Sequence, residues 1–304
     1  MISLSISPAS KSPLCSTIIF DFPQDATVLE VKERIAAQYP KLGVSRQKLS
    51  LKGDKKALND EDKVNALSGK ELQVKDLGPQ IGWRTVFLIE YVGPLIVHPV
   101  IYYYPKLVYG KDVQHSAVQK YVFAFVMLHF LKRELESVLV HRFSHGTMPV
   151  RNLFKNSAAY HLLYGVALAL DVYRQKYSVG SPYIVGTYRS NETVLRVAAG
   201  VWAYAEFSNF LAHYTLRNLR PPGTRKRGIP RGYPFNLISC PNYFFEIVAW
   251  SVIAGLTNSV TGYVIVGQAI FTLSQWAMKR HIGYKKEFGN EYPRNRKAIF
   301  PFIY

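Results

Sequence analysis

The sequence has only two cysteines in 304 residues, Cys15 and Cys240. Two thiols so far apart in sequence exclude a disulfide framework or a thiolate metal site as the basis of the fold, and they suit a reducing compartment. Both glycine fingerprints of soluble nucleotide folds are missing, G-x-G-x-x-G after a strand and G-x-x-x-x-G-K-[ST] alike, so any nucleotide has to be held by other means. H-E-x-x-H is absent too: His141 and His145 stand four apart with no glutamate between them and no recognisable third ligand. A structural or cavity-lining role is expected for them, and no metal is assigned. The first 20 residues lack a basic segment leading into an apolar one, so no cleavable signal is expected and the N-terminus is placed in the cytosol.

Acidic residues are scarce over most of the chain. Residues 1–79 hold 12 Lys or Arg against 10 Asp or Glu; out of totals of 38 and 20, this leaves 26 basic but only 10 acidic residues for 80–304. The excess of the +18 formal charge therefore sits in the apolar part. Basic residues at the ends of apolar segments mark cytoplasmic loops facing anionic lipid, or an anionic ligand. Nucleic acid fits less well, because the basic clusters flank apolar spans instead of covering a soluble domain.

The balanced N-terminal part reads as a small soluble α+β domain. Ser16 to Phe22 is β-branched and aromatic, Ala26 to Tyr39 is an amphipathic helix with Val28, Val31, Ile35 and Ala36 on one face, and Leu49–Leu51 and Glu71–Val74 are short strands. This order, with the pattern L-S-L-K-G-D-K-K-A-L, resembles the ubiquitin-like β-grasp fold over roughly residues 13 to 76. The domains expected are 1–79, a ubiquitin-like cytosolic domain with its linker, and 80–304, a polytopic all-α membrane domain.

Gly78, Pro79 and Gly82 break the chain, and Thr85 to Tyr104 is the first expected membrane span, ending in the aromatic run Tyr102, Tyr103 and Tyr104. Tyr121 to Phe130 is apolar but runs into K-R-E-L-E, a cluster too charged to face lipid. Further apolar stretches cover Ala158–Val172, Val194–Leu211 and Tyr243–Met278, the last broken by polar residues from Thr257 to Gly262 into a helical hairpin. Basic residues bracket that hairpin at Arg217–Arg231 and Lys279–Lys297, so both its ends are expected to be cytoplasmic, and the C-terminus with them. Six or seven transmembrane helices satisfy the pattern, the parity depending on whether 120–145 crosses or re-enters.

Three segments bring together groups that an apolar environment makes costly. Asn209, His213, Arg217 and Arg220 follow one another at helical spacing near one face, with donors suited to phosphate oxygens; lipid headgroup binding alone would also explain the arginines. Ser239 to Glu246 opens the hairpin with Pro241 in its first turn, and Asn242 and Glu246 lie one turn apart. The tail from His281 to Tyr304 mixes basic and aromatic groups.

With N-x3-H-x3-R-x2-R-P, C-P-N-Y-x2-E and Y-x-K-E-F-x3-Y-P in order, residues 84 to 304 resemble the steroid 5-alpha-reductase family. His141 to Asn152, Lys132 and Arg133, and the ubiquitin-like N-terminus resemble its very-long-chain enoyl-CoA reductase branch. The resemblance implies NADPH held among the helices by Asn209, His213, Arg217, Arg220, Asn242, Glu246, His281 and Tyr284. It implies a long-chain trans-2-enoyl-CoA as substrate, with Glu90 on the substrate side. Tyr243 is the discriminating position: steroid reductases resemble N-F here and enoyl-CoA reductases N-Y.

The implied chemistry gives that hydroxyl a role. Hydride adds to the β-carbon, charge builds on the thioester oxygen as an enolate, and the α-carbon takes a proton. A tyrosine hydroxyl, with an ordinary pKa of about 10, is still protonated at neutral pH. Tyr243 is the expected donor, with Lys132 and Arg133 the candidate cations beside it, although an ion pair between Lys132 and Glu136 is the plain alternative. The family further implies the endoplasmic-reticulum membrane, both termini cytosolic, the last step of fatty-acid elongation and its link to sphingolipid metabolism. Elongase, 3-ketoacyl-CoA reductase and dehydratase are the partners it implies. A steroid or polyprenoid enone reductase and a non-catalytic scaffold with a recruiting domain are the rival readings.

Overall fold

The structure, a computed structural model, describes residues 1–9, 16–142, 146–219 and 228–304. It divides into two compact units, Met1–Trp83 with His145–Phe154, and Arg84–Ser144 with Lys155–Tyr304. The expected boundary after residue 79 falls close to the first break, but the short segment before the third long helical run joins the first unit. Of the sequence readings, those on Cys15, His145 and Arg220 lie outside the described residues.

The first unit is built on a four-stranded sheet. Strands β1 (Ile2–Pro8), β2 (Ile18–Phe22), β3 (Gln47–Leu51) and β4 (Leu72–Asp76) lie in the order β2-β1-β4-β3, with β1 antiparallel to β2 and parallel to β4. β1 was not read from the sequence, although I-S-L-S-I-S alternates with period two, placing Leu4 and Ile6 in the core and serines between them. Helix α1 (Val28–Gln38) begins at Thr27, whose hydroxyl accepts from Glu30 N while the Glu30 carboxylate accepts from Thr27 N. This reciprocal cap satisfies two otherwise orphaned donors. Val28, Val31 and Ile35 then face the sheet's Leu4, Ile6, Leu49 and Leu72 in one core. Full burial of each such side chain is worth about 1.5–3 kcal/mol. Gln47 ties β3 to the helix by donating to the carbonyls of Lys32 and Leu42. A short two-stranded antiparallel sheet of β5 (Gln80–Gly82) with β6 (Thr147–Pro149), distant in sequence, completes the unit.

The second unit is helical. Its elements are α2 (Trp83–Tyr103), the short α3 (Pro105–Tyr109), α4 (Ala117–Leu139), a run of α5 (Arg151–Ala158), a π-helix (Ala159–Ala167) and α6 (Leu168–Val172), then α7 (Glu192–Asn218), α8 (Pro241–Thr257) and α9 (Val260–Phe288). Among the described helices, α2 alone combines the length and apolarity of a membrane span, with a mean hydropathy of 1.5 over its window. The others carry charged or polar residues, of which Glu136, Glu206, Asn209, His213 and His281 are buried. The segment expected either to cross or to re-enter is one continuous helix, α4, capped by Ser116 and Gln119. The hairpin break falls at Asn258, left-handed at φ 48, and Ser259, which accepts from Gly262 N to start α9. Gly262 is needed there because a Cβ would lie 3.1 Å from the Ala254 backbone of α8.

Pro94 and Pro99 interrupt α2 and remove the donors that would reach the carbonyls of Glu90 and Leu95. The π-helix packs against this irregular stretch. His161 donates from Nε2 to the Ile89 carbonyl at 2.7 Å, and Gly93 leaves room for its ring, which a Cβ would strike. Further along α2, buried His98 lies 2.9 Å from the Tyr164 carbonyl through Nε2 and 2.7 Å from the Tyr173 hydroxyl through Nδ1. The carbonyl only accepts, so Nε2 carries the proton and Tyr173 donates to Nδ1.

In the first unit, Arg46 makes a two-pronged bond to Asp76, at 3.0 and 2.6 Å, which holds that carboxyl below its usual range. A depressed folded-state pKa stabilises above the unfolded value, about 3.9 for Asp, and the contribution is lost as pH falls through the folded value. Arg46→Met is therefore expected to lower the protection of the β3–β4 amides at pH 7 and to flatten its fall below about pH 4, read by hydrogen exchange. An unchanged acid profile would remove the pair from this account.

Candidate active site

Helices α4, α7 and α8 face one another with their charged residues turned inward. From α4 come His129, Lys132, Arg133 and Glu136; from α7 Glu206, Asn209 and His213; from α8 Asn242 and Glu246. Such groups survive desolvation only if each finds a partner, and here they do. Lys132 Nζ lies 2.7 Å from Glu206 Oε2 and donates to Asn209 Oδ1 at 2.5 Å. Arg133 Nη1 donates to Glu136 Oε2 at 2.6 Å, and His213 Nδ1 meets the same oxygen at 3.0 Å. His129 sits between two carboxylates, with Nδ1 2.7 Å from Glu206 and Nε2 3.3 Å from Glu246. Carboxylates only accept, so both ring nitrogens donate in this arrangement and three cations face three anions.

The network also joins the two amides. Asn209 Nδ2 donates to the Asn242 carbonyl at 2.8 Å and to Glu246 Oε2 at 3.3 Å, while Asn242 Nδ2 lies 3.4 Å from His213 Nε2. The sequence-derived residues Lys132, Arg133, Asn209, His213, Asn242 and Glu246 thus form one assembly. The Lys132–Glu136 pair weighed from spacing is present only at 3.7 Å, and the closer partner of Lys132 is Glu206 on another helix. Arg133 also donates from Nη2 to the hydroxyl of buried Tyr91 on α2 at 2.9 Å. Glu90, beside it, is 3% exposed and has no hydrogen-bond partner among the described residues.

A second group forms where the start of α8 meets α9. Arg280 faces the hydroxyls of both Tyr243 and Tyr284. His281 Nδ1 lies 2.6 Å from the Ser239 hydroxyl, itself 2.6 Å from the Tyr292 hydroxyl, and Tyr284 stacks on Tyr292 at 5.5 Å. His281 and Tyr284 belong here and not to the α4–α7–α8 assembly. Arg280 and, more weakly, the expected Arg133 act electrostatically on Tyr243, while Lys132 is held by Glu206 and Asn209. Arg217 lies half-buried near the end of α7, its carbonyl 3.3 Å from Arg142 Nη1.

His129, Glu206, Tyr91, Arg280 and Tyr292 were not singled out from the sequence, and Glu136 was weighed only as an ion-pair partner of Lys132. For four of them a signal was present. His129 and Glu136 continue the inward face of Lys132 and Arg133, Glu206 precedes Asn209 by three, and Arg280 precedes Tyr284 by four. His141 does find company: its ligand atom, with those of Glu136 and His213, falls in a cluster spanning no more than 4.8 Å. Arg133, bonded to Glu136 and 3.1 Å from His213, already supplies positive charge at that point.

Comparison with known proteins fits this geometry. The family model described as 3-oxo-5-alpha-steroid 4-dehydrogenase matches residues 146–304, which hold α7, α8, α9 and the tail. The chain belongs to this family. A Schizosaccharomyces pombe protein named as an enoyl reductase is 44% identical over 93% of both chains. A very-long-chain enoyl-CoA reductase of Dictyostelium discoideum is 38% identical over 93% of this chain and 94% of its own. A Caenorhabditis elegans protein named as such a reductase is 39% identical over 91% of each. All three alignments run through both units, so the N-terminal part is shared with these relatives as well as the helical core.

Removing one partner from a buried ion network strands the other, at a cost of about 3–5 kcal/mol. Lys132→Met is expected to cost that much in thermal unfolding of the detergent-solubilised protein. Lys132→Met with Glu206→Gln should recover a good part, because the stranded charge is gone. Additive losses in the pair of variants would mean that Lys132 and Glu206 are not coupled.

Proposed function

We propose that this protein is an NADPH-dependent reductase of very-long-chain trans-2-enoyl-CoA, completing each cycle of fatty-acid elongation in the endoplasmic-reticulum membrane. Membership of an oxidoreductase family and relatives named for enoyl reduction support the reaction class. The observation that carries the proposal is Tyr243, with its hydroxyl against Arg280 and its backbone one turn from Glu246.

The donor sets fit a dinucleotide. Asn209 and Glu246 present an amide donor and a carboxylate acceptor side by side, as a carboxamide requires. Arg217 and the basic residues around His281 offer charge for phosphate oxygens. In this reading Asn209, His213, Asn242 and Glu246 hold the nicotinamide end, and His281 and Tyr284 the part beyond it. The bound cofactor supplies a hydride to the β-carbon of the conjugated thioester. Tyr243 supplies the proton taken at the α-carbon, and Arg280 stabilises the tyrosinate left behind. Arg133, held by Glu136 and Tyr91, and Glu90 face the thioester end of the substrate.

The remaining assignments follow from the same reading. The sheet order of the first unit, with α1 after the β1–β2 hairpin, supports reading it as a ubiquitin-like domain. Six helical stretches, α2, α4, α5 to α6, α7, α8 and α9, are read as six spans; an even number puts both termini on one side, and the basic residues flanking the last hairpin make that side cytosolic. Elongase, 3-ketoacyl-CoA reductase and dehydratase would be its neighbours in the cycle. The family description favours one other reading, a steroid-type enone as substrate with the same nucleotide residues.

The experiment follows NADPH absorbance in purified, solubilised protein given a long-chain trans-2-enoyl-CoA or a steroid enone. The expected outcome is turnover of the thioester alone, falling about 10²–10⁴-fold in Tyr243→Phe, the range for losing a general acid. Turnover of the enone alone moves the substrate assignment. Full thioester turnover in Tyr243→Phe removes Tyr243 as donor.

A further inference from the structure

The π-helix has no part in the chemistry so far. It packs on Tyr91 of α2 through Tyr160 and on Trp250 of α8 through Tyr164, and a long run of i→i+5 bonding inside an α-helix is uncommon and concentrated at functional sites. Its wider turn rotates the side chains it carries away from where a regular helix would aim them. Tyr160 and Tyr164, four apart, stack on each other at 5.6 Å with rings 26° apart. Their hydroxyls fare differently. That of Tyr164 donates to Gln268 Oε1 of α9 at 2.9 Å. That of Tyr160 has no partner among the described residues.

The surroundings of Tyr160 are otherwise well determined. Its ring meets Tyr91 edge-on at 5.3 Å and Phe130 at 6.5 Å. Tyr91 in turn accepts from Arg133. Glu90, the neighbour of Tyr91, interacts electrostatically with Tyr160 and is the other polar group of this region without a protein partner. The next residue, His161, is fixed to the Ile89 carbonyl and seated over Gly93. A single local lock therefore sets Tyr160 against the turn of α2 that carries Glu90. Tyr160 is half-buried, so its hydroxyl stays within reach of a ligand, and a rigid framework that holds it free of protein partners points to a ligand acceptor.

We propose that Tyr160 is an oxyanion donor, its O–H hydrogen-bonding to the thioester carbonyl oxygen of the substrate. The inference rests on the enoyl-thioester reading and deepens it. When hydride adds to the β-carbon, the electron pair of the carbon–carbon double bond moves into the carbon–carbon bond next to the carbonyl. The carbonyl pair then moves onto oxygen. The oxygen gains negative charge, and the Tyr160 hydrogen bond strengthens without its proton leaving. Protonation at the α-carbon by Tyr243 restores the carbonyl. Tyr160 thus acts at oxygen and Tyr243 at carbon, two hydroxyls with separate tasks. Arg133, through Tyr91, adds positive charge behind the same oxygen.

The test uses the full-length protein with a trans-2-enoyl-CoA carrying ¹³C at the thioester carbonyl, and reads its carbonyl stretch by difference infrared spectroscopy without NADPH. The stretch is expected at lower wavenumber in the wild type than in Tyr160→Phe, with Tyr164→Phe matching the wild type. With NADPH added, kcat is expected to fall about 10²–10³-fold in Tyr160→Phe, the range for losing one oxyanion donor. Substrate bound and reduced by the wild type, with the same stretch in Tyr160→Phe, overturns this inference and leaves the proposed function standing. Failure of the wild type to bind or reduce the thioester overturns the proposed function and the inference with it.

Discussion

Charge neutralisation inside an apolar helical unit is the constraint from which the rest follows. Each ion moved from water into such an interior costs several kcal/mol unless paired and hydrogen-bonded. Glu136, Glu206 and Glu246 are met by Arg133, Lys132 and His129, with the Asn209 amide bridging two helices. This pairing fixes α4, α7 and α8 in register more tightly than their apolar contacts could, since apolar packing tolerates sliding whereas a stranded carboxylate does not. It also places acceptors and donors in a dry environment, where they act on a ligand far more strongly than in water.

In the proposed reaction the two clusters would divide the labour. The α4–α7–α8 assembly offers amides, a carboxylate and cations near one end of the helices. The Tyr243, Arg280 and Tyr284 group lies where α8 meets α9, with Tyr243 and Asn242 adjacent in the chain. One residue step along α8 thus passes from the group proposed to hold the nucleotide to the one proposed to donate the proton. Glu90 stands on α2, one turn before Pro94, and Tyr160 on the π-helix that packs against it.

Much of this was legible in the sequence where local pattern carries the information. The capped helix α1, the strands of β2 to β4, the hairpin break after Thr257 and Pro241 at the head of α8 all follow from periodicity and breaker residues. Asn209, His213, Asn242 and Glu246 were recognisable because polar groups at helical spacing stand out in apolar runs. The partners were harder to read. Glu206 and Lys132 are 74 residues apart, and His129 serves carboxylates of two helices, relations that spacing within one helix cannot express. Arg280 as the cation at Tyr243 was missed for the same reason, being 37 residues away. The π-helix left no mark at all, since Ala159–Ala167 is compositionally an ordinary apolar helix.

The central claim is that one site delivers a hydride and a proton to adjacent carbons of the same bond, and isotope tracing tests it most directly. Reduction of trans-2-enoyl-CoA with NADPH deuterated at the transferred position, in ordinary water, should place deuterium at the β-carbon of the product. Reduction with ordinary NADPH in heavy water should place it at the α-carbon. Deuterium from the solvent at the β-carbon, or from the cofactor at the α-carbon, would contradict the account.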